Sequence, residues 1–284
     1  MNYIYNLAHL CIQLKTPFSI DVTNESLPFI SCSDESGDLK ILFQTADRLP
    51  EHPPIGEWHE EKYYTKMNGN ETVFVRNFSS EPPYAVLEYT PHDIVCSYLQ
   101  ESEDYLRDTN GILNLIGLEK ILLDNRGFLL HSSFIRYRGK GILFSAPCGT
   151  GKSTQANLWE HYRDSDTLNG DRAGVRCVDG AWTAFGMPFA GTSGIYRNES
   201  VPIAAIVTLA QGPENVIRRL RPMEAVRKLL PECSCRRWDS NFMNAMLDLL
   251  LQLVQEIPVY LLECRPDEGA VNLLHDTLVK DGWL

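Results

Sequence analysis

The chain has 284 residues, 44% of them hydrophobic and 22% charged, with a formal net charge of -11. That length allows one large or two modest domains with a substantial core. No basic run interrupts the acidic surplus, which argues against a nucleic-acid partner, and no apolar stretch reaches the ~18 residues of a membrane helix.

Eight cysteines, at 11, 32, 96, 148, 177, 233, 235 and 264, follow no framework spacing, and several lie in apolar runs. The start Met1-Asn2-Tyr3-Ile4-Tyr5 lacks a basic segment and a small-residue cleavage site. Together these point to a reducing cytoplasm. Cys233-Ser234-Cys235 is an isolated C-x-C with no second pair, so it is not read as a metal site.

Residues 1–100 read as strands separated by turns. Phe18-Ser19-Ile20-Asp21-Val22 alternates apolar and polar, and Leu39 to Phe43, Thr72 to Val75 and Tyr84 to Tyr89 are further strand candidates. Breaks fall at Ser36-Gly37, from Pro50 to Gly56, at Asn68-Gly69-Asn70 and at Glu81-Pro82-Pro83, which predicts consecutive antiparallel hairpins. The Trp58-His59 cluster with Glu57, Glu60 and Glu61 is read as a solvated loop. This segment is expected to form a small β-rich N-terminal domain of unknown role.

From about residue 101 the period changes. Ile112, Leu113, Leu115, Ile116, Leu118, Ile121, Leu122 and Leu123 recur at helical spacing and predict one largely buried helix that ends at Asn125-Arg126-Gly127. Phe128 to Ile135 is a strand carrying His131, and Tyr137 to Gly141 turns it back into Ile142-Leu143-Phe144-Ser145. There follow Ala146-Pro147-Cys148-Gly149-Thr150-Gly151-Lys152-Ser153-Thr154 and an amphipathic helix. An apolar strand, a loop with two glycines and a helix opening on Lys-Ser-Thr is a phosphate-binding arrangement. The backbone amides of 148–154 cradle phosphate oxygens, Lys152 reaches the β- and γ-phosphates, and Ser153 holds Mg²⁺. The spacing meets G-x-x-x-x-G-K-[ST] except at the first glycine, here Ala146, which requires a negative φ there.

One helix later, Asp166 to Asn169 is a short strand tipped by Gly170-Asp171-Arg172. Asp171 stands where a Mg²⁺-associated or base carboxylate is needed. Gly186 to Asn198 is a glycine-rich loop in which Arg197 offers charge to phosphates, or which simply connects its neighbours. Ile203 to Leu209 is a buried strand, Asn215 to Leu220 a half-exposed one, and Pro222 opens a helix to Leu230. Arg218, Arg219 and Arg221 are the densest positive cluster and read as a solvated face. Asn241 to Val254 is an apolar helix expected in the core, though an oligomer interface stays open. A strand at Val259 to Leu262 and a last helix marked by Val271, Leu274 and Leu278 complete the chain.

The order of these motifs resembles the HPr serine kinases, which share a nucleotide-binding core with ATP-dependent phosphoenolpyruvate carboxykinase. The resemblance rests on Leu130-His131-Ser132-Ser133, the hairpin, Gly149 to Thr154 and Gly170-Asp171, over roughly residues 128–220. More loosely it reaches Cys264-Arg265-Pro266-Asp267, as in small HPr-kinase-like proteins seen alongside peptide-modifying gene clusters. It implies an α+β to α/β fold: a phosphoenolpyruvate-carboxykinase-like P-loop domain with a mixed sheet over 101–284, preceded by the β-rich domain over 1–100. It further implies ATP and Mg²⁺ as cofactors and Asp171, His131 and Lys152 as catalytic residues. Pro147, Cys148, Gly149, Thr150, Gly151, Lys152, Ser153, Thr154 and Arg197 would bind the nucleotide, and Ser153 and Asp171 the metal. The implied reaction is γ-phosphate transfer to a hydroxyl, serine of a protein or peptide. Two positions depart from the family: Ala146 replaces the loop's first glycine, and Arg172 replaces a second aspartate. The signature of the reverse, phosphorylase reaction is not recognisable. A non-catalytic nucleotide-binding switch and a small-molecule kinase therefore remain alternatives.

Overall fold

The computed structural model describes residues 1–31, 37–90 and 93–284, so Cys32 and the break expected at Ser36 lie outside the described residues. Contacts divide the chain into two units, Met1–Leu118 and Glu119–Leu284.

The first unit is one nine-stranded sheet. Its strands are β1 (Asn2–Leu7), β2 (Leu10–Lys15), β3 (Ile30–Ser31), β4 (Leu39–Ala46), β5 (Glu57–His59), β6 (Lys62–Met67), β7 (Asn70–Val75), β8 (Ala85–Tyr89) and β9 (Asp93–Leu99). They lie in the order β3-β1-β2-β4-β9-β8-β7-β6-β5. Alternation decides which face is buried: Ile12 and Leu14, Ile41 and Phe43, and Ile94, Cys96 and Tyr98 all point into the core. From β5 to β9 neighbouring strands run antiparallel, with Asn68-Gly69 as a hairpin turn, but β2–β4 and β4–β9 are parallel. The expectation of hairpins throughout is corrected there. Trp58 and His59 lie on β5 rather than in a loop, with the Arg76 guanidinium over the Trp58 ring. Phe18 to Val22 forms no strand; only Asp21 makes a bridge, to Asp108.

The division falls eighteen residues beyond the expected boundary at 100/101 because residues 101–115 pack with the first unit. The Asp21 amide donates to Arg107 O at 2.8 Å, Thr109 Oγ1 to Asp21 O at 3.2 Å, and Lys62 Nζ to Asn114 O at 2.6 Å. The single helix expected over 112–123 is two, α1 (Thr109–Leu115) and α2 (Leu118–Asp124), interrupted at Gly117, whose φ is +65°.

The second unit contains β10 (Gly127–Tyr137), β11 (Lys140–Ser145), α3 (Lys152–Arg163), β12 (Asp166–Asn169), β13 (Arg172–Val178), β14 (Ala181–Phe185), β15 (Ser200–Gln211), β16 (Val216–Arg219), α4 (Pro222–Leu229), α5 (Ser240–Glu256), β17 (Val259–Cys264) and α6 (Glu268–Lys280). Its eight strands make a mixed sheet in the order β11-β10-β13-β14-β15-β17-β16, with β12 on β10. A parallel pairing of β11 with β15 closes the first five into a ring. Alternate residues of the central strands serve opposite layers. Ile142, Phe144, Val207, Tyr260 and Leu262 meet Ala156 and Trp159 of α3 and Val271, Leu274 and Leu278 of α6. Leu143, Ile206 and Leu261 meet Val226 of α4 and Met246, Leu250 and Leu253 of α5. Strands covered on both faces must be apolar at every position, which is why β11, β15 and β17 read as continuous hydrophobic runs. The apolar α5 lies in this core. The chain is thus a mixed α/β protein built on two large mixed sheets.

Candidate functional site

β11 delivers the chain to the loop at Ser145. Ala146 is buried and has a negative φ, which is how an alanine fits where the template has glycine. Gly149 and Gly151 adopt φ of +78° and +117°, and a Cβ at either would meet no atom within 4 Å. Both glycines therefore serve backbone conformation and leave the inner side of the loop open. Gly151 is also the N-cap of α3 and carries no capping side chain, so the positive end of a twelve-residue helix faces the loop without a side-chain acceptor.

Pro147, Cys148, Gly149, Ser153 and Thr154 are exposed, and Thr150 and Gly151 partly so. Lys152 is buried: its ammonium donates to Ala146 O at 2.8 Å and Pro147 O at 3.4 Å. Burial lowers its pKa, while the negative charge of Glu232, Cys148 and Asp171 pulls the other way.

The turn carrying Asp171 is built by Asn169. This side chain is fully buried, and its Oδ1 accepts from the Asp171 amide at 3.0 Å and the Arg172 amide at 2.9 Å. Its Nδ2 donates to Met187 O at 2.8 Å and Phe189 O at 3.2 Å, tying the turn to the glycine-rich loop. Gly170 is needed for close approach, since a Cβ there would sit 1.9 Å from Ser193 Oγ. The turn is fastened to β10 by the Ser132 amide, which donates to Asp171 O at 2.9 Å.

β10 is where the parts meet, because it changes partner halfway. Residues 127–131 pair with β13, ending on His131 opposite Arg172. Residues 132–137 pair with β11, beginning with Ser132 opposite Ser145. His131 therefore stands at the handover, between the strand that enters the phosphate loop and the strand that leaves Asp171. Ser145 Oγ donates to His131 O at 3.0 Å and fixes that point.

His131 Nε2 faces Asp171 Oδ1 at 3.7 Å, and Nδ1 lies 3.1 Å from Glu232 Oε2. Glu232 closes a 3₁₀ turn, Leu230–Glu232, that follows α4, and its side chain is only 11% exposed. The Leu130–Cys233 bridge and the Ser234 amide, which donates to Leu129 O at 3.1 Å, hold this turn against β10. Arg172 Nε lies 3.7 Å from Asp171 Oδ2. The result is a line of polar side chains, Glu232, His131, Asp171 and Arg172, along a cavity of about 210 Å³. Sequence reading missed Glu232, which lies 101 residues from His131 and belongs to no motif. A second cavity, of about 410 Å³, flanks the loop and is lined by Gly149, Gly151, Thr154, Gln155, Cys264 and Arg265.

Arg197 lines neither cavity. Its guanidinium lies 3.9 Å from Glu199 Oε1 and 4.0 Å from Asp166 Oδ1, and Arg136 bonds the same two carboxylates. In this structure Arg197 stands among carboxylates, the alternative in which the loop connects its neighbours. Its amide donates to Leu168 O at 3.0 Å, so the loop connects β14 to β15 along β12. Arg218 and Arg221 share Glu224, at 3.4 and 3.3 Å. Cys96, Cys148, Cys177, Cys233, Cys235 and Cys264 are free thiols, and no helix of the described residues is long and apolar enough to cross a membrane.

Among the described residues no group of three or more His, Cys, Asp or Glu is arranged to hold a metal ion. The open glycine cradle and the uncapped helix end fit a polyphosphate.

No curated protein matches the chain. Among solved structures it is similar to the Hpr(Ser) kinase/phosphatase from Coxiella burnetii, at 13% identity and a TM-score of 0.32, covering 54% of this chain and 88% of that one. The model of one protein family, the SynChlorMet cassette protein ScmC, matches residues 94–268, more than half of the chain, and the chain belongs to that family.

Proposed function

We propose that the chain is an ATP- and Mg²⁺-dependent phosphotransferase that moves a γ-phosphate onto a hydroxyl, serine of a protein or peptide. The observation that carries this reading is the handover on β10, which sets Asp171 and His131 beside the strand that feeds the glycine loop. Phosphoryl transfer asks mainly for position and charge neutralisation. The amides of 148–154 and the α3 N-terminus hold phosphate oxygens, and Lys152 turns from its carbonyls toward the transferred group. Ser153 and Asp171 would hold Mg²⁺, which would supply charge neutralisation at the phosphates. The acceptor oxygen bonds to the γ-phosphorus as the bond to the bridging oxygen breaks. Asp171 takes the hydroxyl proton, and ADP departs. His131, between two carboxylates, orients Asp171.

A second reading, a nucleotide-binding switch without transfer, is favoured by Arg172. Its guanidinium occupies the place of a second carboxylate and approaches Asp171. Incubation with γ-labelled ATP, Mg²⁺ and serine peptides separates the two. Label on peptide that is lost in Lys152→Ala supports transfer. ATP-induced thermal stabilisation with no label and no hydrolysis supports the switch, and an unchanged Lys152→Ala variant overturns the loop assignment. Asp171→Asn is expected to keep ATP binding and lose transfer.

A further inference from the structure

Behind Pro147 lies a third cavity, of about 450 Å³, lined by Pro147, Arg218, Arg227, Lys228, Pro231 and Glu232. It shares Pro231 and Glu232 with the cavity of His131 and Asp171, so the two cavities adjoin along these residues and are treated together as a trough. It shares no residue with the cavity lined by Gly149, Gly151 and Thr154. The glycine loop thus touches two spaces, one through Gly149 to Gln155 and the other through Pro147.

The charge of the trough opposes that of the chain. Glu224 is committed to Arg218 and Arg221, and Arg221 holds its carboxyl down at about 2. Glu232 is committed to His131. Neither Arg227 nor Lys228 has a carboxylate partner among the described residues, and both are exposed. Two unpaired cations at the mouth of a trough that leads to Asp171, on a protein of net charge -11, form a local attractor for anionic groups.

We propose that this trough is the acceptor site and that it takes an acidic peptide, whose carboxylates meet Arg227 and Lys228 while its hydroxyl lies at Asp171. The assignment of the hydroxyl rests on the phosphotransfer reading above. Donor and acceptor then approach the loop through separate spaces. Any helix C-terminus favours cations, so peptide charge is the variable that decides.

The test uses the full chain and two fluorescein-labelled serine peptides, one flanked by glutamates and one by glutamines. Binding is followed by anisotropy, and ATP affinity by a fluorescent ATP analogue. The glutamate peptide is expected to bind about tenfold tighter, and Arg227→Glu with Lys228→Glu to abolish that preference while ATP affinity is unchanged. The milder pair Arg227→Gln with Lys228→Gln is expected to reduce it. Equal binding of the two peptides, a preference that survives both variants, or an equal loss of ATP affinity overturns the proposal. A charge-dependent preference without phosphorylation upholds the trough and sinks the catalytic reading. Phosphorylation of both peptides alike does the reverse.

Discussion

Glu232 Oε2 lies 3.1 Å from His131 Nδ1, joining the turn after α4 to the one strand that borders both the phosphate loop and the Asp171 turn. The contact gives His131 a fixed ring orientation, with Nε2 directed at Asp171. Glu232 bonds His131 and acts on Asp171 through that ring, so it is a positioning residue.

Glu232→Gln retains the shape and one hydrogen bond but removes the charge. Transfer is expected to fall about ten- to a hundredfold in kcat while the KM for ATP is unchanged. Equal loss in both constants, or full activity, would contradict a positioning role.

Asn169→Ala removes four hydrogen bonds at once, two to amides of the turn and two to carbonyls of the glycine-rich loop. A loss of about 2–4 kcal/mol in urea unfolding is expected, with transfer impaired because Asp171 is no longer held. A variant as stable as the parent would show that the Gly186 to Asn198 loop, rather than Asn169, holds the turn.

Trp159 tests the layer beneath α3. It is fully buried, with its ring 5.3 Å from that of Tyr137, yet its Nε1–H has no partner. Trp159→Ala is expected to cost about 3–5 kcal/mol. Trp159→Phe is expected to cost roughly half that or less, because it removes an unsatisfied donor along with the lost volume. Similar costs for the two would mean that the indole N–H finds water.

Alkaline pH is expected to destabilise the fold. Burial pushes the Cys235 thiol up to about 11 and the Tyr84 hydroxyl to about 12, and raises Cys96 and Cys233 as well. Above pH ~9 the unfolded chain releases these protons and the folded chain keeps them, so stability falls as pH rises. Lys152 acts oppositely, since its lowered pKa lets the unfolded chain hold more protons, but it is one group against four. The melting temperature is expected to drop between about pH 7.5 and about pH 10, and Cys235→Ser to flatten that slope. A flat or rising profile would refute this.

What was legible in the sequence was local. The loop from Ala146 to Thr154 is contiguous, and its glycines and lysine state their conformational and chemical needs within a few residues. The place of Asp171 in the fold, at a turn one helix after the loop, was legible through order. Arg197 was not, because its charge reads the same whether its neighbours are phosphates or, as here, Asp166 and Glu199. Glu232 was invisible for the complementary reason: its meaning comes only from the fold that brings α4 to β10. The break at Gly117 was hidden beneath apolar periodicity that continues across it, and Phe18 to Val22 has a strand's alternation without a strand's partners.

The ring made by β11, β10, β13, β14 and β15 leaves none of these strands an open edge through which to peel. The amides of Ser132 and Val207 therefore cannot exchange by fraying of a terminal strand; they must wait for the ring to open as a whole. Hydrogen exchange at His131 and Ser145 is then set by one shared opening event, slower than that of the edge strand β16. Strain introduced at either of the two would be felt at the other.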